Sequence, residues 1–148
     1  MRYRRGDVRD PAALEQAFAG ADVVVHLAFH LTGRAGRETS RAISGNIDGG
    51  AVRALVPARL ELELGGARIG MVHIPGPAAG RRERLRSAFP RCDAVVFGHT
   101  HMPEHDEHDG FQIFNPGSPT ERRRARAHTM GLATIEGGRV EFELLALG

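Results

Sequence analysis

Asp93-Ala94-Val95-Val96-Phe97-Gly98-His99-Thr100-His101 is the stretch on which the fold turns. Four apolar residues, two of them β-branched, read as a short buried strand. The run stops at glycine and presents two imidazoles at its C-terminal edge. Strand ends of this kind are where α/β folds place their chemistry. Imidazole nitrogen suits Zn, Mn, Fe and Ni, so the pair is a candidate for metal ligation.

The surrounding sequence supplies a layered α/β, or α+β, context. Arg59-Leu60-Glu61-Leu62-Glu63-Leu64 alternates strictly, turns at Gly65-Gly66 and returns as Arg68-Ile69-Gly70-Met71-Val72-His73, a predicted antiparallel hairpin. Residues 80–89 read as an Arg-rich helix stopped by Pro90. A second hairpin turns at Asp109-Gly110. A third runs over 129–135, turns at Gly137-Gly138 and returns over 139–147. Residues 51–56 predict a helical turn before Pro57. Near the N-terminus, Asp10 caps a helix that Pro11 opens and Gly20 ends. Ala21-Asp22-Val23-Val24-Val25-His26-Leu27-Ala28 then reads as a buried parallel strand.

Composition narrows the function classes. The chain has 148 residues, enough to bury a sizeable core, and no run of membrane-spanning length. The single cysteine, Cys92, excludes an internal disulfide. With an N-terminus that lacks an apolar leader, it points to the cytoplasm. All basic residues are arginine, the formal charge is only +2, and aromatics are few. No nucleic-acid signature and no membrane partner follow from this.

Three further motifs join the His pair: Gly45-Asn46-Ile47-Asp48 upstream, the strand-ending His73, and Asn115-Pro116-Gly117-Ser118 downstream. In that order and spacing, residues 45–147 resemble the calcineurin-like metallophosphoesterase superfamily, its small bacterial and archaeal phosphodiesterases above all. The resemblance implies two mixed β-sheets packed face to face with helices outside, in one domain spanning 1–148. It implies metal-dependent hydrolysis of a phosphoester, a small molecule or a nucleotide-like substrate, at a dinuclear-type site. Asn46, His73 and His99 would bind one metal and His101 the other. Asn46, His73 and Asp48 are the catalytic candidates. Mn is the first expected metal, with Zn, Fe, Ni and Mg as alternatives.

Residues 1–44 depart from that pattern. The family opens with Asp-x-His and places Gly-Asp after its second strand, yet Ala28-Phe29 stands where Gly-Asp belongs. Ile47 replaces a frequent His, and His73-Ile74-Pro75 replaces His-Gly-His. The site is therefore expected to be incomplete, and catalysis weak. The alternative is a phosphoesterase-like scaffold, as in the retromer complex. The opening segment itself resembles the middle of an extended short-chain dehydrogenase of the NAD-dependent epimerase type. That chemistry is excluded here: there is no Gly-x-Gly-x-x-Gly, no lysine, and one tyrosine, Tyr3. The segment is read as an atypical β-α-β opening.

The other polar groups carry blander expectations. His26 and His30 are read as structural or solvated rather than as stand-in ligands. His105 and His108 belong to a solvated edge strand. Arg122, Arg123, Arg124 and Arg126 form a solvated face, although guanidinium could grip phosphate. Cys92 is a half-buried thiol rather than a nucleophile.

Overall fold

The computed structural model describes residues 2–6, 23–25 and 42–147. The helix expected over 11–20, together with His26, Phe29 and His30, lies outside the described residues.

The element order is β1 (Arg2–Gly6), β2 (Val23–Val25), α1 (Gly50–Leu55), β3 (Arg59–Leu64), β4 (Ala67–Val72), α2 (Arg81–Ala88), β5 (Ala94–Phe97), β6 (Glu104–His108), β7 (Phe111–Asn115), β8 (His128–Glu136) and β9 (Arg139–Leu147). They form a four-stranded sheet, β1-β9-β8-β2, and a five-stranded sheet, β3-β4-β5-β7-β6. Both sheets are mixed. β4, β5 and β7 run parallel, and β3 and β6 pair antiparallel at the two edges. This is the layered fold expected from the sequence.

Side-chain alternation along β5 explains the layering. Ala94 and Val96 point into a core shared with Ile135 of β8 and Val140, Phe142 and Leu144 of β9. Val95 and Phe97 point the other way, to Leu85 and Phe89 of α2. A strand buried on both faces reads as a continuous apolar run. Phe114 and Phe142 stack between the sheets at a centroid separation of 4.4 Å. Gln112 crosses the same gap, donating from Nε2 to the Val140 carbonyl at 2.9 Å.

One feature of the opening strands differs from expectation. β2 pairs antiparallel with β8, Val25 lying opposite Gly131, and not parallel as its apolar run implied. An apolar run carries no direction of its own; the neighbouring strand sets it. β1 supplies the strand that the β-α-β reading places ahead of the 11–20 helix, although Arg2-Tyr3-Arg4-Arg5-Gly6 has no apolar alternation, and it pairs parallel to β9 over its whole length.

Two side chains also sit deeper than expected. Cys92 is 3% exposed, and burial is the main cause that pushes its thiol up to about 11, so it is an inert core group. His105 lies on the edge strand β6 but is not solvated. Its Nε2–H donates to Gln112 Oε1 at 2.8 Å, and its ring packs edge-on against Phe114 and Phe142. His108 is exposed, as expected.

Candidate metal centre

The three parallel strands deliver their C-terminal ends to one edge. Val72 of β4 is level with Phe97 of β5, so His73 and Gly98 emerge side by side. The Gly98 N–H donates to the His73 carbonyl at 3.1 Å and locks that register one residue further. Val96 is level with Phe114, which brings Asn115 alongside. Sheet geometry alone thus gathers His73, His99 and Asn115 from three separate parts of the chain.

Asn46 completes the group from a loop. Its Oδ1 accepts from His73 Nε2–H at 2.8 Å and from His99 Nδ1–H at 3.1 Å. The two imidazoles meet edge to face with centroids 5.3 Å apart. Two devices hold Asn46. Arg53 of α1 donates from Nη2 to its carbonyl at 2.8 Å, and Asp48 Oδ2 accepts the Gly45 N–H at 2.6 Å, closing the turn. Gly45 lies against the His73 ring, whose nearest atom would stand at ordinary contact distance, 3.4 Å, from a Cβ there.

His101 lies outside this contact. Its Nδ1–H donates to the Glu121 carbonyl at 2.6 Å, which fixes the tautomer and leaves Nε2 as the free lone pair. His99 and His101 both adopt left-handed backbone, at φ 70° and 60°. Such a conformation costs a non-glycine residue about 1 kcal/mol or more and persists only where the surroundings enforce it. The enforcing residue is Thr100. Its Oγ1 accepts from Asn115 Nδ2–H at 2.8 Å, while Asn115 Oδ1 accepts the Gly117 N–H at 2.9 Å. Asn115 is fully buried. The Asn-Pro-Gly-Ser motif is therefore the brace of the His-Thr-His loop, more than the turn that its sequence indicates.

The donor set fits one divalent cation. Cis ligands at about 2.1 Å from a metal stand about 3.0 Å apart, and the two Asn46–His separations bracket that value. One amide oxygen and two imidazoles suit Mn, Fe, Ni or Zn. A second cation has only His101 in view: among the described residues, no three His, Cys, Asp or Glu side chains gather in ligating geometry. The region that would carry the missing carboxylate, around Phe29, is outside the described residues.

Electrostatics favour the metal-ready form. Burial first, and then the neighbouring His99, hold the His73 pKa below 6.5, with Asp48 opposing. A neutral imidazole is the form that binds metal. Two arginines also serve the site: Arg53, which sequence reasoning passed over, on Asn46, and Arg123, read as part of a solvated face, which donates from Nη1 to the His99 carbonyl at 3.3 Å. Exposed arginines carry no positional signal in sequence. The remaining arginines of that run, Arg122, Arg124 and Arg126, lie exposed as expected.

Residues 6–138 match the family profile described as the calcineurin-like phosphoesterase superfamily domain. The chain is 31% identical over 88 residues to a probable metallophosphoesterase of Methanothermobacter thermautotrophicus, covering 58% of this chain and 51% of that protein. It thus spans about half the length of that curated relative. Among solved structures, a Thermotoga maritima protein determined by solution NMR is similar at 31% identity and TM-score 0.56, covering 72% of this chain and 65% of that one. The Vps29 protein of Entamoeba histolytica, solved in complex with zinc, is similar in fold at 20% identity and TM-score 0.54, covering 73% and 69%.

Proposed function

The chain belongs to the calcineurin-like phosphoesterase superfamily, and we propose that it hydrolyses a phosphodiester at a metal site built on Asn46, His73, His99 and His101. The observation that carries this reading is the convergence of His73 Nε2 and His99 Nδ1 on Asn46 Oδ1 at ligand-to-ligand distances. Bound there, a divalent cation such as Mn supplies charge to the phosphate and lowers the pKa of a water. His73 and His99 would hold it as neutral imidazoles with the proton on the other ring nitrogen, and Asn46 would offer its carbonyl oxygen. Asn115 and Thr100 orient the His99–His101 loop. Asp48 keeps Asn46 in place through the turn, a positioning role. The substrate is a small-molecule phosphoester, and the expected compartment is the cytoplasm. Among the described residues, no helix is long and apolar enough to cross a membrane.

A second reading, a weakly active or inactive scaffold with this fold, is favoured by one observation: ligands for a second metal do not gather among the described residues. The two readings separate by metal content and by hydrolysis of bis(p-nitrophenyl) phosphate. For the enzyme, dialysed protein retains at most about one transition metal per chain and hydrolyses the ester slowly with Mn. His99→Ala loses both properties, whereas His108→Ala, on the exposed edge strand, keeps both. Metal without hydrolysis supports the scaffold. Equal loss in both variants places the metal on the hairpin instead.

A further inference from the structure

Four residues other than glycine take left-handed backbone among the described residues: His99, His101, Asp109 and Arg123. Asp109 is ordinary, because Asp-Gly is what a tight hairpin turn asks for. His99 and His101 belong to the candidate centre. Arg123, at φ 48°, has no such explanation. It is the second residue of a turn closed by the Ala125 N–H, which donates to the Arg122 carbonyl at 2.8 Å. A positive φ at that place suits Gly, Asn or Asp, and an arginine is disfavoured there.

The segment that carries this turn is joined to the His99–His101 loop at two points. His101 Nδ1–H donates to the Glu121 carbonyl at 2.6 Å, and Arg123 Nη1–H donates to the His99 carbonyl at 3.3 Å. That carbonyl and the His99 imidazole belong to one residue, so the guanidinium is held within a residue's breadth of the candidate centre. A single long, exposed bond to a carbonyl offsets little of the backbone strain. It also leaves most of the guanidinium fork free, and Arg123 pairs with no carboxylate among the described residues. Its neighbour Arg122 turns back instead, donating from Nη1 to the Ala125 carbonyl at 2.9 Å.

We propose that Arg123 binds the phosphate of the substrate: the free edge of its guanidinium donates to the nonbridging oxygens while Nη1 stays on the His99 carbonyl. This deepens the phosphoesterase reading and rests on it. Guanidinium offers phosphate two parallel N–H donors and stays charged at every working pH. Ligands for a second metal do not gather among the described residues. A fixed cation beside the first metal site takes up part of the phosphate charge that a second metal would otherwise meet.

Inorganic phosphate titrated into the Mn-loaded full chain by calorimetry reads this as binding and not as turnover. Arg123→Gln should weaken phosphate by about ten- to a hundredfold at unchanged Mn content. Arg123→Lys, which keeps a charge without the fork, should recover part of that loss. Arg124→Gln and Arg126→Gln should bind phosphate as the unsubstituted chain does. Arg123→Gly separates a hold on phosphate from support of the loop. Glycine accepts the left-handed turn, so the melting temperature should hold or rise while phosphate affinity falls as in Arg123→Gln. Unchanged phosphate affinity in Mn-loaded Arg123→Gln overturns the proposal and leaves the phosphoesterase reading intact. Loss of Mn or an early melt in Arg123→Gly also overturns it, since the bond to His99 would then be a brace. An equal fall in Arg124→Gln overturns it too, because the effect would be one of general charge. Failure of the unsubstituted chain to hold Mn or phosphate overturns both readings.

Discussion

Protonation of His73 and its capture of a cation compete for the same imidazole, and its surroundings tilt the contest. Burial and the neighbouring His99 hold its pKa below the 6.5 of the unfolded chain. The sign of the linkage follows. Below 6.5 the unfolded chain takes up this proton more readily than the folded one. The contribution of His73 to stability is therefore whole above about 6.5 and is lost as pH falls through the lowered folded value. In metal-free protein, the urea midpoint should drop between pH 7.5 and pH 5.5, and His73→Gln should lessen that drop. An identical drop in the variant would show that other groups carry it. At this scale the sequence was most legible where residue types are scarce. An Asn after Gly, a His at a strand end and a His-Thr-His after Gly98 identify themselves. Arg53 and Arg123 do not, because one arginine among twenty gives no sign of which carbonyl it meets.

Among the elements, the hairpins were legible because Gly-Gly and Asp-Gly dictate where the chain reverses. Gly65, Gly66, Gly110, Gly137 and Gly138 all take positive φ there. The bounds of β1 and the direction of β2 were not legible. Five residues without alternation carry no strand signal, and three valines carry burial but no direction. β4 shows how closely an element fits its neighbour. Gly70 lies under the ring of Phe89, which is 1% exposed, and a Cβ at that point would overlap the ring. Arg59 closes the other side, its guanidinium 3.7 Å from the Phe89 centroid and its Nη2 bonded to the Ala88 carbonyl. Gly70→Ala should cost about 1–3 kcal/mol by overpacking, read from the shift in denaturant midpoint. Gly80→Ala has open space before it and tests the other cost of replacing glycine, its left-handed φ of 64°. Its loss should be nearer 1 kcal/mol. If Gly80→Ala proved the more damaging, backbone conformation rather than packing would govern these positions.

Across the whole molecule, the parallel strands of one sheet and the short strand β2 of the other are aimed at one edge. Val25 ends β2 opposite Gly131 of β8. Gly131 lies against Phe114 and Pro116, beside the Asn115 brace, and Thr129 at the start of β8 donates its N–H to the Ser118 carbonyl. The chain therefore leaves β2 at the edge that carries His73, His99 and Asn46. By the sequence resemblance, the superfamily's Gly-Asp would fall at Ala28-Phe29. A carboxylate there would stand between two cations and offset their mutual repulsion, which no residue gathered in the described part can do. Ala28→Gly with Phe29→Asp should then raise Mn content from about one towards two per chain and raise bis(p-nitrophenyl) phosphate hydrolysis with it. Circular dichroism comes first, because the substitution removes an aromatic ring. Elemental analysis and the hydrolysis rate are then read on the same preparation. A folded variant with unchanged Mn and unchanged rate would mean that the chain after β2 does not reach the centre. The single-metal site would then be the finished form of this protein, with its weak chemistry a property of the fold as it stands.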